Sequence, residues 1–253
     1  MELFDLSGKV ALVTGSSRGL GHVFARGLAE AGATVVLNGR HEEALVEARA
    51  ALTADGLDAR LSCFDVTEEE AVERAIADIE ERVGPIGILV NNAGVNLRGP
   101  LEDFETERWR RLMAVNLDGV FFVTRAVGRR MVEREEGKII NVCSLMSEGG
   151  RPSTAPYAAS KGALKMLTRA MATEWGSHNI QVNGIGPGYF LTEMTRHMAE
   201  DPEWDRWVRN SAPAGRWGKP EELVGAVVFL ASEASSFVNG QVIYVDGGWL
   251  ASL

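Results

Sequence analysis

Short runs of aliphatic and β-branched residues alternate along the chain with longer stretches whose apolar positions recur at helical spacing. The strand-like runs are Lys9–Val13, Thr34–Leu37, Arg60–Phe64, Ile86–Val90, Lys138–Val142, Gln181–Ile185 and Gln241–Val245. Helical patterns fill the gaps, the clearest being Gly19–Ala31 and His41–Ala54, the second rich in Ala, Glu and Leu. This alternation predicts an α/β fold, a doubly wound parallel sheet of about seven strands with helices on both faces. No Pro-, Ser- or Gly-rich linker and no internal repeat divides the chain, so a single domain over residues 1–253 is expected.

Composition narrows the picture. Apolar residues make up 45 % and charged residues 24 %, which excludes a disordered or low-complexity chain. The net charge of −9, from 26 basic and 35 acidic residues with no basic stripe, argues against a nucleic-acid partner. The N-terminal Met1–Leu6 lacks a basic, apolar leader, and the apolar runs are too short and too interrupted to span a bilayer. A soluble, cytoplasmic protein with no membrane partner is therefore expected. Cys63 and Cys143 lie in strand-like runs and read as buried small hydrophobes, neither a disulfide framework nor a zinc site. His22, His41, His178 and His197 are scattered without ligand spacing, so no metal is expected. Glycine is the outlier, 28 of 253 residues against the roughly 7 % of ordinary chains.

Part of that excess lies directly after the first strand, in Thr14-Gly15-Ser16-Ser17-Arg18-Gly19-Leu20-Gly21, inside which a helix begins. Glycines there let the backbone turn, approach a pyrophosphate closely and start a helix whose free N–H groups favour anions. The spacing is not G-x-G-x-x-G, and a tight turn alone would use the same residues. About 20 residues on, where an acidic residue would hold the adenine ribose of NAD, stands Asn38-Gly39-Arg40. With no carboxylate to repel a 2′-phosphate, and with Arg40 and Arg18 able to pair with one, NADP is expected over NAD.

A second constellation is Tyr157-Ala-Ala-Ser-Lys161, whose four-residue spacing puts phenol and ammonium on one helix face. A free phenol titrates near pH ~10, and a fixed cation would bring it toward use as an acid or base near neutrality. Ser144 follows the strand Lys138–Val142, at the carboxyl end where open α/β sheets bind ligands. A Tyr and a Lys at this spacing also occur by chance.

These residues together carry a resemblance. With Asp65-Val66, Asn91-Asn92-Ala93-Gly94, Asn116, Pro187-Gly188 and Asp246-Gly247-Gly248, nearly the whole chain resembles the short-chain dehydrogenase/reductase family. The resemblance implies a Rossmann-type fold and a catalytic set of Asn116, Ser144, Tyr157 and Lys161. In it Tyr157 is the general acid/base, Lys161 lowers its pKa and binds the nicotinamide ribose, Ser144 orients the reacting carbon–oxygen group and Asn116 holds a relay water. It further implies cofactor contacts from Gly15, Ser17, Arg18, Gly19, Leu20, Gly21, Asn38 and Arg40, from Asp65 and Val66 at the adenine, from Asn92, Ala93 and Gly94, and from Pro187, Gly188 and Thr192 at the nicotinamide.

The segments that vary within such enzymes set the substrate: the residues after Gly94, those after Ser144, and a helical lid over about 192–213. They supply Asn96, Arg98, Ser147, Glu148, Arg151 and Tyr189. Either arginine would pair bidentately with a substrate carboxylate, Arg98 being preferred, while Asn96, Ser147, Glu148 and Tyr189 would meet hydroxyls. Each arginine has a plain alternative as a surface ion pair. Several runs, among them Ser144–Glu148 and Pro213–Gly218, resemble the branch of the family that interconverts gluconate and its 5-keto form, usually with NADP. The expected ligands are therefore NADP and a sugar acid, and the family's habit implies a homotetramer. A 3-oxoacyl-[acyl-carrier-protein] reductase is the rival, for which Arg129, Arg130 and Arg134 offer docking charges. A catalytically dead nucleotide-binding scaffold is a third reading, opposed by the filled catalytic set. Trp204 and Trp207, three apart in the lid, read as one packed helix face.

Overall fold

The computed structural model describes residues 2–193 and 195–252. Seven parallel strands form one sheet in the order β3-β2-β1-β4-β5-β6-β7. They are β1 (Val10–Val13), β2 (Thr34–Gly39), β3 (Ala59–Cys63), β4 (Ile86–Asn91), β5 (Gly137–Val142), β6 (Ile180–Pro187) and β7 (Val242–Val245). The helices are α1 (Gly19–Glu30), α2 (Glu42–Ala54), α3 (Glu69–Arg82), α4 (Thr106–Met113), α5 (Gly119–Arg134), α6 (Ala155–Trp175), α7 (Arg196–Glu200), α8 (Pro202–Ser211) and α9 (Val224–Ala231).

The period-two geometry of a strand sends successive side chains to opposite faces. Ala11 and Val13 of β1 join one core with Phe24 and Leu28 of α1, Leu45 and Leu52 of α2 and Val227 and Leu230 of α9. Val10 and Leu12 join the other, with Ile76 of α3, Val127 of α5 and Met171 of α6. Because helices cover both faces, the strands are apolar at successive positions, which is why they stand out in the sequence.

Chain order reverses between β1 and β4, adjacent strands paired from Val10↔Ile86 to Val13↔Val90 with a one-residue register shift after Val10. The crevice beyond their carboxyl ends is where such sheets bind ligands. One difference from expectation has a clear cause. Cys63 is exposed, because it ends the edge strand β3, whereas Cys143 is buried. Asn116 sits in a π-helical turn, Ala114–Asp118, joining α4 to α5; such i→i+5 turns are frequent at functional sites. Among the described residues no helix is long and apolar enough to cross a membrane, and no group of three or more His, Cys, Asp or Glu could hold a metal ion.

Candidate active site

The turn after β1 is shaped by its glycines. Gly15 and Gly19 both adopt left-handed φ, +62° and +61°. A Cβ on Gly15 would stand 2.8 Å from Ala93 Cα, and one on Gly21 would stand 2.4 Å from the Gly15 carbonyl oxygen. At Gly19 a Cβ would meet nothing within 4 Å, so the turn is packed behind and open in front. Helix α1 starts there with no side-chain cap, leaving its first N–H groups for an anion.

Buried polar groups fasten this turn from behind. The Thr14 hydroxyl accepts the N–H groups of Asn92 and Ala93, each at 3.0 Å. Asn92 Nδ2 donates to the Thr14 and Gly15 carbonyls, each at 2.9 Å. Asn38, expected to face the cofactor, is buried: its Oδ1 accepts from Gly15 N at 3.3 Å while Nδ2 donates to Ser62 and Phe64 carbonyls. Its amide is spent on joining β2, β3 and the turn. Ser16, which the sequence did not single out, donates to the Val13 carbonyl at 2.7 Å and accepts from Asn38 N at 3.0 Å.

Around this floor lie the remaining expected cofactor residues. Ser17 Oγ would be 3.6 Å from a Cβ on Gly39, so it borders the tip of β2, and Leu20 packs on the first core. Arg40 lies 3.7 Å from Asp65, and Arg18 lies 3.9 Å from Glu193. The other oxygen of Asp65 caps the Thr67 N–H and hydroxyl, and Val66 is buried against Gly119. Pro187 ends β6, Gly188 packs so closely on Asp246 that a Cβ would be 2.7 Å from its Cα, and Thr192 N donates to the Thr195 hydroxyl at 2.9 Å. The open glycine turn, the uncapped helix end and two arginines without an acidic residue at the end of β2 fit a phosphorylated dinucleotide.

Tyr157 and Lys161 occupy the first turns of α6, with Lys161 Nζ 5.8 Å from the phenol ring centre. Nζ donates to the Val142 carbonyl at 2.6 Å, which ties α6 to the end of β5. Burial pushes the Lys161 ammonium down to about 8. Burial also raises the Tyr157 phenol, against which the neighbouring Ser144 hydroxyl works. Ser144 is extended and accepts from Met146 N at 3.2 Å. Asn116 Nδ2 donates to the Val95 carbonyl and the Ser160 hydroxyl, and its Oδ1 accepts from Val95 N at 2.8 Å. A Cβ on Gly94 would stand 3.4 Å from Asn116 Oδ1 and 3.9 Å from Lys161 Nζ, so all three border one space.

The end of β5, which leads into Ser144, is tied to α6 by a buried polar chain. Asn91 Nδ2 donates to Thr124 and Asn141, and Asn141 Nδ2 donates to Thr168, all at 2.8–2.9 Å.

The substrate-side residues divide. Ser147 Oγ donates to the Lys161 carbonyl at 2.9 Å and accepts from Ser144 N at 3.2 Å. The Glu148 carboxylate is taken by Lys165 at 2.5 Å and Tyr244 at 2.6 Å. The Ser147 proton is thus committed to the scaffold, and the Glu148 carboxylate is shared between Lys165 and Tyr244. Asn96 lies between β4 and α4 and forms no side-chain hydrogen bond among the described residues. Arg98 Nη2 donates to Ser153 Oγ at 3.1 Å, and Arg151 Nη1 donates to the Tyr189 hydroxyl. Ser153, another residue the sequence did not single out, has a left-handed φ of +64°.

With this geometry in place, likeness to known proteins decides the family. A family model described as enoyl-(acyl carrier protein) reductase matches residues 15–250. Gluconate 5-dehydrogenase of Gluconobacter oxydans is 56 % identical over 252 residues, covering 100 % of this chain and 98 % of that one. The chain belongs to the short-chain dehydrogenase/reductase family. This family of oxidoreductases is NAD(P)-dependent and acts on CH–OH groups. Another relative, 5-keto-D-gluconate 5-reductase of Escherichia coli, is 49 % identical over 252 residues, covering 100 % of this chain and 99 % of the relative. The crystal structure of a gluconate 5-dehydrogenase from Burkholderia cenocepacia in complex with NADP and tartrate superposes with a TM-score of 0.97 at 51 % identity, covering 100 % of this chain and 99 % of that one.

Proposed function

We propose that this short-chain dehydrogenase/reductase interconverts D-gluconate and 5-keto-D-gluconate with NADP. The observation that carries the reading is the pair Arg98 and Arg151: among the described residues neither is ion-paired, and the charges of both reach Tyr189, which is also within electrostatic reach of Tyr157. A guanidinium held this way suits the carboxylate of a sugar acid. The names of the full-length relatives support the same substrate, and the NADP bound by the Burkholderia relative supports the cofactor. Arg40 and Arg18 are the residues we assign to the 2′-phosphate. They would exchange their long, exposed contacts to Asp65 and Glu193 for it.

The bound nicotinamide supplies the hydride acceptor or donor. The chain's own residues do the rest. Tyr157 gives a proton to the ketone oxygen in reduction and takes it from the alcohol in oxidation. Ser144 orients that oxygen, Lys161 holds positive charge beside the ribose, and Asn116 borders the same space for a relay water. For the rival carrier-protein reductase, the supposed docking charges are already engaged. Arg129 pairs with Glu73 at 3.2 Å, while Arg134 and Arg130 lie 2.8 Å and 3.8 Å from Glu80.

The deciding experiment assays 5-keto-D-gluconate, D-gluconate, neutral ketoses and an acetoacetyl thioester with both cofactors. Turnover of 5-keto-D-gluconate with NADPH is expected to exceed the rest. Faster reduction of the thioester would overturn the reading. We further propose a homotetramer, supported by apolar side chains left exposed on α5 and α6 and at Phe237.

A further inference from the structure

Arg98 and Arg151 converge on a single aromatic ring. The Arg98 guanidinium carbon lies 5.3 Å and the Arg151 carbon 5.1 Å from the centre of Trp204, the third residue of α8. Trp204 in turn meets Trp207 edge-on at 5.4 Å, and Arg151 stacks at 3.7 Å over Trp207. Two like charges brought to one place repel each other. Each has a single neutral hydrogen-bond partner, Ser153 or Tyr189, and among the described residues no carboxylate faces either. The negative face of the indole is thus the element they share.

We propose that Trp204 is a positioning residue for the carboxylate of the substrate, holding Arg98 and Arg151 together so that both can address one anion. The inference rests on the sugar-acid reading above. A guanidinium has five N–H donors in a fixed fork, and these contacts leave most of them unused on each side chain. A carboxylate entering between the forks relieves the repulsion that the aromatic contacts, shared at Trp204, only offset. Because Trp204 belongs to α8 while Arg98 and Arg151 come from the loops after β4 and β5, carboxylate binding also fastens that helix over the site. The contribution falls on ground-state binding: Trp204 touches the arginines, not the reacting carbon, and a neutral ketose would gain nothing from it.

The test compares Trp204→Leu and Trp204→Phe with the parent protein, using thermal melting to confirm that each folds. Trp204→Leu is expected to raise KM for 5-keto-D-gluconate about tenfold with kcat changed by less than about twofold, and Trp204→Phe, which keeps a ring, to recover most of the loss. In an Arg98→Ala/Arg151→Ala background the Leu substitution should have no further effect. Tartrate binding without turnover, followed by tryptophan fluorescence, should weaken in parallel. An unchanged KM, an equal loss with Phe and Leu, or a full effect in the arginine-free background would overturn the proposal. Were the parent protein to show no preference for 5-keto-D-gluconate over a neutral ketose, the sugar-acid reading itself would fall, an outcome read before any variant is made.

Discussion

Burial holds the Tyr157 phenol in its protonated form at neutral pH, since its pKa lies above the ordinary value of 10.0. It therefore stands ready as an acid for ketone reduction, whereas alcohol oxidation needs the deprotonated form. Oxidation should rise with pH through the neutral range while reduction stays level, as pH–rate profiles in both directions would show. Lys161, pushed down to about 8 by burial, loses its charge above that pH. The kcat/KM for reduction, which reports the free enzyme, should accordingly fall above about pH 8. Tyr157→Phe should lower kcat by about 10²–10⁴-fold in both directions without altering the circular dichroism spectrum. At the phosphate end, Arg40→Ala should raise KM for NADP by roughly tenfold and leave KM for NAD unchanged, because only the 2′-phosphate loses a charge-assisted contact. Equal effects on both cofactors would remove Arg40 from that role.

Elements are held in relation by contacts of two kinds, close backbone approach and buried hydrogen bonds. Gly15→Ala would add a Cβ 2.8 Å from Ala93 Cα at a left-handed residue. It should cost about 1–3 kcal/mol in urea denaturation. Thr168→Val would leave Asn141 Nδ2 without its partner between β5 and α6. A similar cost of about 1–3 kcal/mol is expected, together with loss of activity as Ser144 and Tyr157 drift apart. Strands and long helices were legible in the sequence because their periods are local. The π-turn around Asn116 was not, since its i→i+5 bonding leaves no period of its own in five residues. The exposure of Cys63 was equally hidden: only the strand order shows that β3 is an edge.

For the whole molecule, the proposed tetramer would cover Phe121 on α5, Met166 on α6 and Phe237, which is fully exposed in the single chain. Light scattering should give four times the 27.4 kDa of the chain, and a monomer mass would remove the proposal. The sequence by itself determined the order of strands and helices, the parallel sheet, the place of the ligand crevice and the pairing of Tyr157 with Lys161. The first two follow from periodicity and its alternation along the chain, the third from the carboxyl ends of strands in such sheets and the last from spacing within one helix. Only the tertiary structure decided which polar groups the scaffold consumes. Asn38, Asn92, Ser147 and Glu148 each have a hydrogen-bond partner distant in the chain, from 14 residues away for Ser147 to 96 for Glu148 with Tyr244. A hydrogen bond depends on two groups meeting in space, which no local pattern records. The same reason left the meeting of Arg98, Arg151 and Trp204 invisible until three separate segments were folded against one another.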